Sequence, residues 1–247
     1  MTAVHREGYK FCQDFIVPCY QTNARMALRP AGFMDVAQEI AYWAAESLGF
    51  GYDSLHIHHV AWVLSRMHIR FVQPLLWRES ARLYTWHKGA SGLFYLRDFD
   101  LRNAKGETAI ACTSSWVVIN EQTRRMVRPE ELSHLMAVDE VDDVIAEIAP
   151  KILLPKDVVA EPAGTHTVSY SDIDLNGHTN NARYVVWAMD CLPYEDAEKP
   201  MKDLYINFNK ETVPGETVQL SRFRSGDAWI VEGKSDGKTC FVARMEY

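Results

Sequence analysis

Apolar positions recur at helical spacing in two stretches of the chain. From Pro30 to Leu48, the residues Met34, Ala37, Ile40, Ala41, Ala44, Ala45 and Leu48 fall at three- and four-residue steps. That pattern predicts an amphipathic helix. Pro30 and Asp35 suit its first turns and Gly49 its end. From Asn181 to Leu192, the residues Ala182, Val185, Val186 and Met189 share one face, and Pro193 stops the run. Asn180 suits the N-cap of this second helix. Both helices are rich in small residues, which let another layer approach closely.

Much of the remainder reads as strand. Val60 to Val72, Ser80 to Lys88, Gly92 to Arg102, Glu107 to Asn120, Leu204 to Asn209, Thr217 to Arg224, Ala228 to Gly233 and Thr239 to Tyr247 carry β-branched and aromatic residues. Asn103-Ala104-Lys105-Gly106, Ser225-Gly226-Asp227 and Ser235-Asp236-Gly237 separate several of them as turns, which predicts antiparallel hairpins. The order strand, helix, run of strands occurs twice. Ile69-Arg70-Phe71 aligns with Ile206-Asn207-Phe208 at an offset of 137 residues, which also pairs Glu79 with Glu216 and Leu83 with Leu220. This suggests a duplication. The expectation is two α+β units, each one helix on an antiparallel sheet. They span residues 1–135 and 156–247, joined by an acidic linker over 136–155.

Composition narrows the function. With 247 residues, 47% hydrophobic and 24% charged, the chain has ordinary globular character. A net charge of −7 gives no support to nucleic-acid binding, which needs a basic field. The charge is unevenly spread. Eight Lys or Arg face three acids between Trp62 and Lys105, whereas Pro129 to Pro150 holds seven acids and no Lys or Arg. Five widely spaced cysteines without a CxxC point to reduced thiols. The first fifteen residues have no apolar signal core, and no apolar run approaches the ~18 residues that span a bilayer. A cytoplasmic protein with no membrane role is expected.

The densest chemistry lies in Ser171-Asp172-Ile173-Asp174-Leu175-Asn176-Gly177-His178-Thr179-Asn180-Asn181. Asp174, Asn176 and His178 alternate, so an extended or looping backbone points them the same way. A carboxylate, an amide and an imidazole can together polarise a carbonyl and handle a proton. The same composition also serves ordinary turns and helix caps. His56-Ile57-His58-His59 could suggest a metal site, but no Cys or carboxylate partner stands at ligand spacing. Neither metal nor cofactor is expected. No G-x-S-x-G elbow, G-x-G-x-x-G or P-loop occurs.

Several segments, taken in order, resemble the acyl-[acyl-carrier-protein] thioesterases of the plant FatA/FatB and bacterial type. They are Trp62-Val63-Leu64-Ser65-Arg66-Met67, Thr85-Trp86, Ser114-Ser115-Trp116-Val117-Val118-Ile119-Asn120, Thr123-Arg124-Arg125-Met126, Arg128-Pro129-Glu130-Glu131, and the segment from Ser171 through Trp187. The resemblance implies a tandem double hotdog fold, each unit a long helix wrapped by a curved antiparallel sheet. It implies hydrolysis of fatty acyl-acyl carrier protein to free fatty acid and the carrier thiol. The family's Asp-x-Asn-x-His pattern falls on Asp174, Asn176 and His178, and its downstream Glu on Glu211. The family's plant-type Cys is Thr212 here. A Thr hydroxyl is a far poorer nucleophile than a thiolate, which favours attack by an activated water. Asp174 or Glu211 would orient or deprotonate that water, and His178 could share the role. Backbone N–H groups near Asn180 and Asn181 would hold the thioester oxygen.

By the same resemblance the acyl chain lies in the N-terminal half against the first helix, with Met34, Ala37, Ile40, Ala41 and Trp43 as its wall. An acidic acyl carrier protein could be steered by Arg66, Arg70, Lys88, Arg97, Arg102, Arg124 or Arg125. Two other functions stay open: an acyl-CoA thioesterase of the same fold, and a non-catalytic acyl-binding hotdog protein. A homodimer is neither required nor excluded.

Overall fold

The computed structural model describes residues 3–57, 59–128, 141–155 and 158–247. The metal reading at His56 to His59 and most of the stretch from Pro129 to Pro150 fall at least partly outside these residues. The first periodic run forms α1 (Pro30–Ser47), with Pro30 in its first turn. Its end is a Schellman motif. Gly49 adopts φ 79°, the Gly49 N–H donates to the Glu46 carbonyl at 3.0 Å, and the Phe50 N–H to that of Ala45 at 3.1 Å. Ala45 and Phe50 also pack in one apolar cluster, the contact that usually accompanies this cap. A short helix α2 (Tyr52–Ile57) follows.

The strands of the N-terminal half are β1 (His5–Glu7), β2 (Lys10–Ile16), β3 (Val60–Phe71), β4 (Ser80–Ser91), β5 (Phe94–Asn103), β6 (Thr108–Asn120) and the two-residue β7 (Met126–Val127). The C-terminal half comprises β8 (Glu161–Thr167), α3 (Asn181–Asp190), the one-turn helix α4 (Tyr194–Ala197), β9 (Asp203–Phe208), β10 (Thr217–Ser225), β11 (Ala228–Ser235) and β12 (Lys238–Glu246). All twelve strands belong to one sheet, ordered β1-β2-β4-β5-β6-β3-β9-β12-β11-β10-β8, with β7 on β6. From β2 to β8 the order is palindromic about the β3–β9 seam. The register at that seam reproduces the sequence offset. His68 lies directly opposite Tyr205, its counterpart at 137 residues, and Met67 opposite Ile206 mirrors Ile69 opposite Leu204. The pseudo-twofold axis therefore passes through the His68–Tyr205 pair, whose rings stack at 4.2 Å.

Both helices cover the same face of the sheet and pack on each other, so Phe33, Met34, Ala37 and Ile40 share a core with Val185, Trp187 and Ala188. On the other face runs the segment after residue 140. The Trp86 Nε1–H donates to the Asp142 carbonyl at 2.8 Å, Lys88 to that of Ile145 at 2.6 Å, and the Ile152 N–H to Asn207 Oδ1 at 2.7 Å. The described part of the expected linker is thus a strap across both halves. No helix among the described residues is long and apolar enough to cross a membrane.

Candidate active site

Each helix is preceded by the same local device. Thr22 bridges Leu28 ahead of α1, and Ile173 bridges Thr179 ahead of α3. In both loops a side-chain oxygen folds the turn. Asn23 Oδ1 accepts the Arg25 N–H at 3.0 Å, and Asp174 Oδ1 accepts the Asn176 N–H at 2.8 Å. A positive φ follows in each, at Met26 (62°) and Gly177 (77°). The chemistry differs between the copies. Where the first loop has Arg25 and Ala27, the second has Asn176 and His178.

The second loop is pinned to the segment after β9. The Thr179 N–H donates to the Thr212 carbonyl at 3.0 Å, and the two hydroxyls lie 2.7 Å apart. The Thr212 hydroxyl also meets Tyr184 Oη at 2.9 Å, and its own N–H donates to that oxygen at 3.1 Å. Thr212 is fully buried, so it latches the loop and presents no nucleophile. This latch sets Glu211 beside His178, with Oε2 3.7 Å from Nδ1. The other carboxylate oxygen of Glu211 accepts from Arg124. Arg124 arrives from the N-terminal half on the β6–β7 turn, which Asn120 Oδ1 folds by accepting the Thr123 N–H at 2.8 Å.

These groups stand at a cavity of about 480 Å³. Asn176, His178, Glu211 and Arg124 line one side, beside Leu175, which is 81% exposed. Phe50, Leu55, Val60, Trp62, Tyr95 and Trp116 form apolar walls. Asp174 is not among the lining residues; its carboxylate is turned onto its own loop. The neighbouring Asp172 is buried and receives His166 at 2.8 Å, Arg183 at 3.2 Å and the Ser169 N–H at 2.9 Å. Burial alone would raise its pKa, but these bonds together hold it at about 2. Its carbonyl accepts the Asn180 N–H at 2.8 Å, and Asn180 caps α3 through the Ala182 N–H. The Asn180 N–H is therefore spoken for, which corrects its expected place as a donor to the substrate. The Asn181 N–H has no acceptor among the described residues.

The residues expected to wall the acyl chain are divided between the core, the surface and this cavity. Of the five, only Ala41 lines this cavity. Met34, Ala37 and Ile40 are buried in the core against α3, and Trp43 is exposed with its Nε1–H on Glu39 at 2.7 Å. The helical face that looks into the cavity is instead Gln38, Ala41, Tyr42 and Ala45. The charge cluster divides too. Lys88 and Arg97 are buried and cannot form an outer docking face. One group of ligand-type side chains lies close together among the described residues, His5, Glu7 and Cys12, and none of them lines the cavity.

Residues 8–135 match the family model for the acyl-ACP thioesterase N-terminal domain, and residues 157–240 that for the acyl-ACP thioesterase C-terminal domain. The chain belongs to the acyl-ACP thioesterase family. Among relatives of this family, it is 25% identical over 236 residues to oleoyl-acyl carrier protein thioesterase 2, chloroplastic, of Arabidopsis thaliana, covering 86% of this chain and 62% of that protein. It is 28% identical over 220 residues to the palmitoyl-acyl carrier protein thioesterase, chloroplastic, of the same plant, covering 83% of this chain and 53% of that one. The chain therefore spans less than two thirds of the length of these curated relatives. Among solved structures, an acyl-ACP thioesterase from Bacteroides thetaiotaomicron superposes with a TM-score of 0.80 at 24% identity, covering 96% of this chain and 97% of that one. The 12:0-ACP thioesterase of Umbellularia californica superposes at 0.81 with 22% identity, covering 98% of each. These likenesses establish the tandem hotdog fold for this acyl-ACP thioesterase family member.

Proposed function

We propose that this protein hydrolyses the thioester of fatty acyl-acyl carrier protein, releasing free fatty acid and the carrier thiol. The observation that carries the reading is the meeting of His178, Asn176 and Glu211 at the mouth of an apolar cavity. Family membership supports it. Residues 1–135 would hold the acyl chain and 156–247 would supply the hydrolytic groups, with 136–155 joining them.

Glu211 is the base in this reading, since it lines the cavity whereas Asp174 does not. Glu211 and His178 draw a proton from a water whose oxygen attacks the thioester carbonyl carbon. The Asn181 N–H, at the positive end of α3, stabilises the charge that develops on the carbonyl oxygen. As the carbon–sulfur bond breaks, His178 passes the proton to the departing thiolate. Asn176 orients water or carbonyl by hydrogen bonds. Arg124 holds the Glu211 carboxylate in place from the opposite half. Asp174 acts through the turn it folds, as Asn23 does in the loop without chemistry.

The test is thiol release from a panel of acyl-carrier-protein thioesters of graded length beside matching CoA esters. Release from the carrier substrates is expected, faster than from CoA. No release from either, by folded protein that still binds the chain, would make this a binder. Equal or faster release from CoA would move it to the acyl-CoA thioesterases.

A further inference from the structure

The walls of the cavity are aromatic and aliphatic, with two polar exceptions on the strands of the N-terminal sheet. Arg97 on β5 and His87 on β4 are directly opposite one another in the register, so their side chains leave the same face of the sheet side by side. Both line the cavity. Arg97 is 7% exposed, and the one hydrogen bond of its guanidinium among the described residues runs from Nη1 to Thr85 Oγ1 at 3.2 Å. No carboxylate among the described residues pairs with it, although a guanidinium carries five donors. Burying an ion without a partner is costly, and proteins normally avoid it.

The imidazole complements it. His87 Nδ1 lies 2.8 Å from the Leu96 carbonyl oxygen, which only accepts, so Nδ1 carries the proton. Nε2 is then a lone-pair acceptor, and it is buried with no partner among the described residues. Burial first, and the neighbouring Arg97 charge second, push the His87 pKa down to about 4, so the ring is neutral near pH 7. Burial also lowers Arg97 to about 10, which leaves it charged there. The cavity thus offers unmatched donors next to an unmatched acceptor.

A plain alkyl chain would leave both unsatisfied. A carboxylate would suit Arg97 but set negative charge against the Nε2 lone pair, and an oxo group cannot donate to it. A hydroxyl accepts from Arg97 and donates to His87 at once. Resting on the reading that this cavity holds an acyl chain, we propose that the preferred chain carries a hydroxyl group, seated between Arg97 and His87. A site built to bond a substrate hydroxyl discriminates strongly against the analogue that lacks it, because its own polar groups are then left unpaired.

The experiment uses pantetheine conjugates in which a methylene replaces the thioester sulfur, so that binding is read without turnover. Chains of one length are compared by calorimetry: unsubstituted, hydroxylated at each successive carbon, and terminally carboxylated. One hydroxylated isomer is expected to bind at least about tenfold tighter than the plain chain, and Arg97→Met and His87→Phe should each bring that ratio close to one. Arg97→Lys should restore part of it. No hydroxylated isomer binding tighter than the plain chain in the wild-type protein would overturn the proposal, as would a gain confined to the carboxylated chain. Those wild-type comparisons decide the matter even if a variant fails to fold. Thiol release from the plain carrier thioester, run in parallel, tests hydrolysis separately: its absence would sink the thioesterase reading and leave the binding preference to stand or fall by itself.

Discussion

Glu211 and Thr212 are adjacent, yet one faces the cavity and the other is sealed behind it. Replacing Glu211 by Gln keeps the shape and removes the base; kcat/KM on an acyl-carrier-protein thioester should fall by about 10²-fold or more, with the thermal transition retained. Near-normal turnover would reassign the base. Thr212→Cys should create no thiol nucleophile, because the buried position is engaged by Thr179 and Tyr184. Activity that becomes sensitive to a thiol-alkylating reagent in this variant would contradict the latch. Asp172 makes a pH prediction. Its pKa is depressed to about 2 from an ordinary 3.8, so its contribution to stability is full above the unfolded value. It is lost as pH falls from about 4 to about 2, and amounts to about 2 kcal/mol. In Asp172→Asn, unfolding midpoints should drop at neutral pH and converge on the wild-type values near pH 2.

At the scale of elements, the strap over the outer face of the sheet depends on a buried charge. Lys88 is 3.1 Å from Asp98 Oδ1, and both side chains are almost wholly buried. Burial raises the Asp98 pKa even though Lys88 works against that rise. Removing one partner strands the other, so Lys88→Met should destabilise by about 3–5 kcal/mol, whereas Lys88→Met with Asp98→Leu should recover much of it. Chemical denaturation of the three variants checks this, and equal loss in single and double variants would refute the coupling. The turn ahead of α3 was readable from its Asp, Asn and Gly. The wall of the cavity was not. Periodicity marked which positions of α1 are apolar, but Met34, Ala37 and Ile40 turn to the core shared with α3, and a different face, Gln38, Ala41, Tyr42 and Ala45, overhangs the cavity.

Over the whole molecule, one sheet continues through the seam where β3 meets β9. The axial His68 donates from Nε2 to Asp203 Oδ1 at 2.6 Å, and Arg70 Nε donates to the same oxygen at 3.0 Å. Asp203→Asn leaves Arg70 and His68 without their charged partner. It should lower Tm by about 5 °C, while folded protein keeps its turnover, since the pair is remote from the cavity lining. Loss of turnover without loss of Tm would mean that the seam does more than hold the halves together.

Local pattern by itself determined the two helices, eight of the strands, the duplication and its 137-residue offset, because these follow from periodicity, turn chemistry and self-similarity along the chain. It also marked Asp174, Asn176 and His178, whereas Glu211 came only from the family resemblance. It missed β1, β2, the two-residue β7 and the edge strand β8, whose Pro162 and Gly164 suit a strand with one unpaired side. Tertiary structure alone decided that Arg124 crosses from one half to grip Glu211 in the other, that Thr212 points inward, and that Arg97 is a buried cation beside His87 rather than part of a surface field. Those facts depend on which face of a strand meets which helix and on which distant segments share a few ångströms, and spacing along one chain does not encode either.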